Sequence, residues 1–454
     1  MTERTKTVGG ILCLCLNIGT DPPDVAKTSP CARKECWMDP KLMGSTKAID
    51  AIAAQLQSQY ERWQSHAKYK PLRDPTYKDV KKMSVQLRRV GKQERLLFHY
   101  NGHGVPKPTQ NGEIWVFNKG FTEYIPMGLH ELSMWLRKPV VYVFDCSGAG
   151  VLLPKIRQMR METGNRGRGG NNNSSKEQKD NHDKTKARDV ICFAACGADQ
   201  QLPLNPAVPA DVFTACLTTP IQMALRWFMY RNPLQLDLPN DILDRIPGSL
   251  DKRKTPIGEL NWIFTSITDT IAWNVLPLPL FQKLFRQDLL IAALSRNFLL
   301  ADRIMRSLHC TPESIPALPS TARHPLWQSW DLAVEQCLFQ LTPPHPQRPL
   351  STPPSSSSSS SVETTEQDDI IARFQHSNFF KEQLTAFEVW LRFVNVKNSS
   401  VGKSPKDDVP EHLPIVLQVL LSQVLRVRAL RLLAEFVDLG RWATNLTLSV
   451  GVHP

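Results

Sequence analysis

The sequence predicts an α/β sandwich followed by the start of an α-helical solenoid. Three observations carry that reading. Short apolar runs that stop in Gly-rich turns recur as far as Cys196, as buried strands of a parallel sheet do. Segments of helical period alternate with those runs, the order of an α/β layered fold. Beyond residue 370 the strand signal disappears and only apolar helical segments remain.

Taken in order, Val8 to Leu16 reads as a buried strand. Lys47 to Trp63 places Ile49, Ile52, Ala53, Leu56, Tyr60 and Trp63 on one helical face. Tyr77 to Arg89 is a second helix. Arg95 to Tyr100 and Val140 to Asp145 are strands, with a short helix from Glu131 to Leu136 between them. Residues 162–188 are rich in Gly, Asn and Arg and then densely charged, so they cannot bury a core and read as a disordered insertion. Val190 to Cys196 resumes the sheet. Thr218 to Tyr230, Glu259 to Trp273 and Leu280 to Leu308 read as helices, with Trp262, Trp273, Trp327 and Trp330 as core or domain-interface anchors.

Residues 343–369 are Pro-rich and hold seven consecutive serines, Ser355 to Ser361. They read as a linker, with phosphorylation of the serine run left open. Phe379 to Val394 is one further helix, and Leu413 to Leu439 makes one or two. Ala443 to Val452 is apolar and repeat-like. Helical repeats cover one another's faces, so either the chain is a fragment of a longer product or a partner covers the last face. The expected division is a first domain over 1–161, an insertion over 162–188, the remainder of that domain with a helical extension over 189–342, the linker 343–369, and the start of a solenoid over 370–454.

Composition narrows the function. The chain has 454 residues, 41% of them apolar, and a formal charge of +12. The basic residues are dispersed apart from Arg157 to Arg168 and Lys252 to Lys254, and no groove-reading motif accompanies them. No nucleic-acid partner is therefore expected. The ten cysteines show no zinc spacing, and Cys13/Cys15 and Cys192/Cys196 lie in apolar runs. Free core thiols, no metal and no cofactor are the expectation. No apolar stretch reaches about eighteen residues and no secretory signal opens the chain, so no integral membrane segment is expected and a reducing compartment is.

Two strings concentrate the chemistry. Arg-Leu-Leu-Phe-His-Tyr-Asn-Gly-His-Gly covers 95–104, and Val-Val-Tyr-Val-Phe-Asp-Cys-Ser-Gly-Ala-Gly covers 140–150. Reactive groups in open α/β sheets collect beyond the carboxyl ends of neighbouring strands, so His103 would face Cys146 and Ser147. That layout resembles the His–Cys dyad of caspases. Against the Asp-Cys-Cys-His-Ser-Gly of metacaspases, Asp145 and the glycines coincide and Ser147 falls in the nucleophile slot. Cys146 falls one residue early, turned by strand alternation to the other side. A serine hydroxyl is far less acidic than a thiol and needs a third group orienting the base, and none is visible in the sequence. The alternatives are a cysteine endopeptidase using His103 with Cys146, or a non-catalytic pair of turns in which His103 and Asp145 make structural hydrogen bonds.

Longer strings carry a wider resemblance. They include Leu-Cys-Leu-Asn-Ile-Gly-Thr-Asp-Pro-Pro-Asp-Val at 14–25, Pro-Cys-Ala-Arg-Lys-Glu-Cys-Trp at 30–37 and His-Tyr-Asn-Gly-His-Gly-Val-Pro-Lys-Pro at 99–108. Gly-Glu-Leu-Asn-Trp-Ile-Phe-Thr at 258–265, Thr-Asp-Thr-Ile-Ala-Trp-Asn-Val-Leu-Pro at 268–277 and Leu-Phe-Arg-Gln-Asp-Leu-Leu at 284–290 continue it. Together they resemble the N-terminal part of the Raptor family, regulatory-associated subunits of target-of-rapamycin (TOR) complex 1.

The resemblance implies a caspase-like domain, then an armadillo-type α-solenoid and a WD40 propeller, of which this sequence resembles the first and the opening of the second. It implies a scaffold without peptidase activity or cofactor. Such a scaffold would bind TOR kinase, capture substrates through the TOS motif (Phe-Asp-hydrophobic-Asp/Glu-hydrophobic) and dock on Rag-type GTPases. It would be cytoplasmic, with peripheral recruitment to the lysosome or vacuole. The loop 246–256 resembles the family's TOS-contacting loop, with Arg253 at its Arg position and Lys252 and Lys254 adding attraction. A guanidinium there suits an acidic motif, because it pairs bidentately with a carboxylate. The alternative is a solvated basic turn. A chain of this kind lacking the later domains could also act as a competitor of the longer protein.

Overall fold

A computed structural model describes residues 6–165, 190–232, 243, 246–341, 371–400 and 409–451. The predicted linker 343–369, with Ser355 to Ser361, lies outside the described residues, as does the predicted insertion from residue 166 to 188.

In chain order the elements begin with β1 (Thr7–Leu14), α1 (Ser45–Trp63), β2 (Lys68–Arg73), α2 (Tyr77–Gly91) and β3 (Arg95–Asn101). A hairpin of β4 (Glu113–Phe117) and β5 (Tyr124–Gly128) follows, then α3 (Leu129–Leu136), β6 (Val140–Asp145), α4 (Leu152–Asn165) and β7 (Val190–Ala194). Next come α5 (Val212–Thr218), α6 (Pro220–Arg231), α7 (Pro256–Val275), α8 (Leu278–Phe285), α9 (Leu289–Ser307) and β8 (Glu313–Ile315). The last are α10 (Leu326–Leu341), α11 (Phe379–Ser400), α12 (Leu413–Val419), α13 (Arg426–Val437) and α14 (Arg441–Val450).

The main sheet has the order β2-β1-β3-β6-β7-β8. Its pairs are parallel except β7–β8. Strands β3, β6 and β7 are buried at every residue, as in a sheet covered on both faces. The covering helices form two mutually packed groups, α1 with α5 and α9, and α2 with α3 and α4. In register, Leu14 pairs with Asn101 and Asn101 with Asp145, so three strands end level. That alignment puts the turns after β3 and β6 side by side.

The chain divides into two compact units, 1–223 with 287–322 and 224–286 with 323–454. The first holds the sheet. In the second, α7 packs on α10 and α12, α11 on α12 and α13, and α14 on α8 and α13. Phe264 of α7 lies 5.4 Å from Trp330 and 6.4 Å from Trp327 between ring centroids, and both tryptophans are buried. Trp262 and Trp273 are half-buried.

Several elements differ from the sequence reading. Helices α7, α8 and α10 belong to the second unit, not to a helical extension of the sheet domain. The predicted insertion begins inside α4, whose helix runs to Asn165. The single helix expected over Leu280 to Leu308 is two, because Asp288 Oδ1 accepts the N–H groups of Leu290 and Ile291 and starts a new helix. The helix expected from Thr218 breaks at Pro220, which opens α6 where no N–H is needed. Strand β2 was not expected: Lys-Tyr-Lys-Pro-Leu-Arg buries only Tyr69 and carries a proline that an edge strand tolerates. The hairpin β4–β5 and the three-residue β8 were also not expected.

Asp288 does more than cap. Its Oδ2 accepts Thr7 Oγ1 at 2.8 Å and pairs with Arg95 Nη1 at 3.2 Å, with side chains 0% and 1% exposed. Removing one partner of a buried ion pair leaves the other charge uncompensated, at a cost of about 3–5 kcal/mol. Asp288→Ala should lower unfolding free energy by about that amount, and a denaturant midpoint unchanged from wild type would contradict the role.

Candidate functional site

The level strand ends assemble a buried ionic cluster. His103 stands two residues past β3, its N–H donating to Asn101 Oδ1 at 3.2 Å. Its Nε2 is 3.1 Å from Asp145 Oδ1, at the end of β6. Its Nδ1 is 2.6 Å from Glu35 Oε1, on the loop between β1 and α1. Asn101 Nδ2 donates to Glu35 Oε2 at 3.0 Å. Asp145 Oδ2 accepts the Thr214 N–H at 3.0 Å and its hydroxyl at 2.5 Å, which ties in α5. The turn between Asn101 and Val105 has to be tight: a Cβ on Gly104 would lie 1.9 Å from the Leu16 carbonyl oxygen.

The loop that delivers Glu35 is held from both sides. Ala32 N–H donates to Leu204 O, and Ala210 N–H to Lys34 O, each at 2.8 Å. Cys36 and Trp37 both have positive φ, +47° and +70°. The Cys36 N–H donates to Asp211 Oδ2, and Trp37 Nε1 to Thr219 Oγ1. Glu35 was not singled out by sequence reasoning. It lies in a loop with no spacing relation to His103, and only its place in the string 30–37 marked it.

Charge follows geometry. Burial opposes the charged form of His103, but the charges of Glu35 and Asp145 and their hydrogen bonds outweigh it and hold the pKa well above 6.5. Burial works against ionisation of Asp145 as well. His103 and the Thr214 hydroxyl overcome it and keep its pKa below the usual value. Burial lowers buried His99 to about 4, so it stays neutral beside the Tyr60 hydroxyl at 2.9 Å. Burial and the charge of Glu35 push Asp211 well up.

With both ring nitrogens donating to carboxylates, His103 offers no lone pair to take a proton from a nucleophile. Cys146 is buried, and burial raises its thiol well above the ordinary value, the opposite of an activated cysteine. Ser147 is half-buried and its Oγ accepts the Leu202 N–H at 3.1 Å. Among the described residues, neither side chain hydrogen-bonds His103. The structure thus brings His103 and Asp145 together and leaves Cys146 and Ser147 out of the pairing. No group of three or more His, Cys, Asp or Glu side chains among the described residues is arranged to hold a metal ion.

Lys252, Arg253 and Lys254 belong to the second unit, and all three are exposed. The backbone of their loop is held by side chains. Thr255 Oγ1 donates to Lys252 O at 2.8 Å and accepts the Gly258 N–H, capping α7. Asn261 Nδ2 donates to Leu250 O. Gly248 has φ +105°, and a Cβ there would overlap Thr255.

A mostly parallel sheet with His103 and Asp145 at its carboxyl edge, followed in the chain by helices, defines the caspase-like class. Residues 5–156 match the family described as Raptor N-terminal CASPase like domain. All of the chain aligns with "Regulatory-associated protein of TOR 2" of Oryza sativa subsp. japonica at 53% identity and with "Protein raptor homolog" of Dictyostelium discoideum at 49%, covering 30% and 32% of their lengths. The crystal structure of Chaetomium thermophilum Raptor superposes with a TM-score of 0.81 at 45% identity, over 100% of this chain and 37% of that one. Over its whole length the chain is similar to raptor proteins, and it spans about a third of the length of the curated relatives it matches.

Two outcomes follow from the cluster. A raised histidine pKa gives stability that is whole below its unfolded value of 6.5 and fades as pH climbs toward the folded value. The melting-temperature gap between wild type and His103→Gln should therefore be wider at about pH 6 than at about pH 9. An equal gap at both would count against the paired imidazolium. Second, Cys31 alone among the cysteines is not buried. Iodoacetamide on the folded chain should label Cys31 and spare Cys146, as read by peptide mass mapping; labelling at Cys146 would reopen the endopeptidase reading.

Proposed function

We propose that this chain is the substrate-recruiting part of a non-catalytic scaffold subunit of TOR complex 1. The observation that carries the proposal is the exposed Arg253 guanidinium on a loop whose backbone is fixed by Thr255, Gly248 and Asn261. A positioned guanidinium suits the acidic residues of a TOS motif, and Lys252 and Lys254 add attraction for the same charge. The names of the relatives, regulatory-associated proteins of TOR, support TOR as the partner. Recruitment raises the concentration of a substrate near the kinase without altering phosphotransfer itself.

The His103 cluster supports the non-catalytic half of the reading. Its imidazole is committed to two carboxylates, and the two candidate nucleophiles lie outside that pairing. The caspase-like domain is then a pseudo-protease whose former catalytic turns hold a loop in place. Location in the cytoplasm, with peripheral recruitment to a lysosomal or vacuolar surface through Rag-type GTPases, is part of the same proposal. Among the described residues, no helix is long and apolar enough to cross a membrane, which fits peripheral recruitment.

The test is capture of TOR kinase on the immobilised chain, beside titration of a labelled TOS peptide. Arg253→Asp should weaken peptide binding about tenfold or more, about 1.4 kcal/mol, while leaving the melting temperature of the chain unchanged. Equal peptide affinity in the variant would remove Arg253 from the site.

A further inference from the structure

Arg253 is exposed but has a neighbour that sets its direction. Its guanidinium carbon lies 5.5 Å from the centroid of the Trp262 ring, within cation–π range. Trp262 in turn stacks on Phe380, centroids 3.9 Å apart and planes 28° apart. The indole N–H of Trp262 is buried and has no hydrogen-bond acceptor, so stacking fixes this ring and no polar anchor does. Phe380 itself is held. One helical turn before Trp262, Glu259 accepts the Ser377 N–H at 3.1 Å and lies 3.2 Å from His376 Nδ1. That pins the start of α11, and with it Phe380, onto α7.

We propose that the Trp262–Phe380 stack is the platform of the carboxylate-binding site and positions Arg253 for bidentate pairing. A guanidinium lying over an aromatic ring spends its flat face on the ring and keeps its in-plane N–H fork free. The fork then meets a carboxylate in parallel, two-bond geometry, which an unsupported Lys or Arg on a solvated turn does not hold in advance. Trp262 is a positioning residue: it acts through Arg253 and sets selectivity for a planar acidic group over a merely negative one. This rests on the reading of Arg253 as the TOS contact.

The experiment uses the full chain and fluorescein-labelled Phe-Asp-Leu-Asp-Leu, with Phe-Asn-Leu-Asn-Leu as control, read by fluorescence anisotropy. Against wild type stand Arg253→Asp, Arg253→Lys, Trp262→Leu, Trp262→Phe and Phe380→Leu. Trp262→Leu and Phe380→Leu should each weaken the acidic peptide about twofold to fivefold, and Trp262→Phe should restore binding to within about twofold. In the Trp262→Leu background, Arg253→Asp should cost less than it does alone, the signature of coupling.

Arg253→Lys keeps the charge and alters only an exposed side chain, so it reports even where a core variant fails to fold. It should also weaken binding severalfold. Unchanged affinity in Arg253→Lys, or in the folded Trp262→Leu and Phe380→Leu chains while Arg253→Asp is weakened, overturns the platform and leaves the site reading standing. Failure of the wild-type chain to prefer the acidic peptide, or indifference to Arg253→Asp, overturns both.

Discussion

The imidazole of His103 between Glu35 and Asp145 is the contact on which the first unit depends. Four separate pieces of chain meet there: the loop before α1, the turn after β3, the end of β6 and, through Thr214, the start of α5. A lone buried charge would be costly, and each of these would be costly without its partner. The cluster avoids that cost by giving every ring nitrogen a carboxylate and every carboxylate further donors. Burial alone would drive His103 neutral, as it does His99 close by in sequence, and the two carboxylates reverse the outcome. The difference between these two histidines comes from neighbours, since burial opposes the charged form of both.

Asp288 solves a related problem at the other end of β3. There a carboxylate meets Arg95 and Thr7 while its second oxygen begins α9. Arg88 shows a third solution, a buried guanidinium satisfied by the backbone oxygens of Leu136, Lys92, Glu94, Arg137 and Pro139. Burial pushes its pKa down to about 10, still far above neutrality, so the charge is kept without a carboxylate. The sheet is thus bracketed by buried charges, each held by an opposite charge or by hydrogen bonds. Such groups specify one packing more sharply than apolar contacts do, because any other arrangement strands a charge.

How much of this was legible in the sequence depended on burial. Strands β3, β6 and β7 are buried on both faces and mostly apolar, and could be read directly. Strand β2 is half-exposed at the edge and β8 is three residues long, so neither left a periodic signal. The apolar pattern from Leu280 to Leu308 runs through Asp288 without a break, and only the cap geometry reveals two helices in two units. The pairing of His103 with Asp145 follows from two strand ends and was open to sequence reasoning. Glu35 was not, since a loop residue gains its partner only when the loop is folded back. Arg253 was marked by resemblance, and its aromatic support was invisible because Phe380 comes from a distant helix.

In the proposed role, the His103 cluster and the Arg253 loop divide the requirements of a scaffold. A catalytic histidine must keep one nitrogen free and its pKa near the working pH, which leaves a buried polar group incompletely satisfied. Filling both nitrogens removes that demand and turns the same turns into a rigid joint. The recruiting role proposed for Arg253 has the opposite need: the side chain stays solvent-facing so that a carboxylate can reach it, yet loses little freedom when one does. A loop fixed by Thr255 and a ring fixed by Phe380 meet that need, with rigidity in the support and exposure at the tip. Nothing in the proposed role asks a side chain to move a proton, and a His103 locked between two carboxylates is consistent with that.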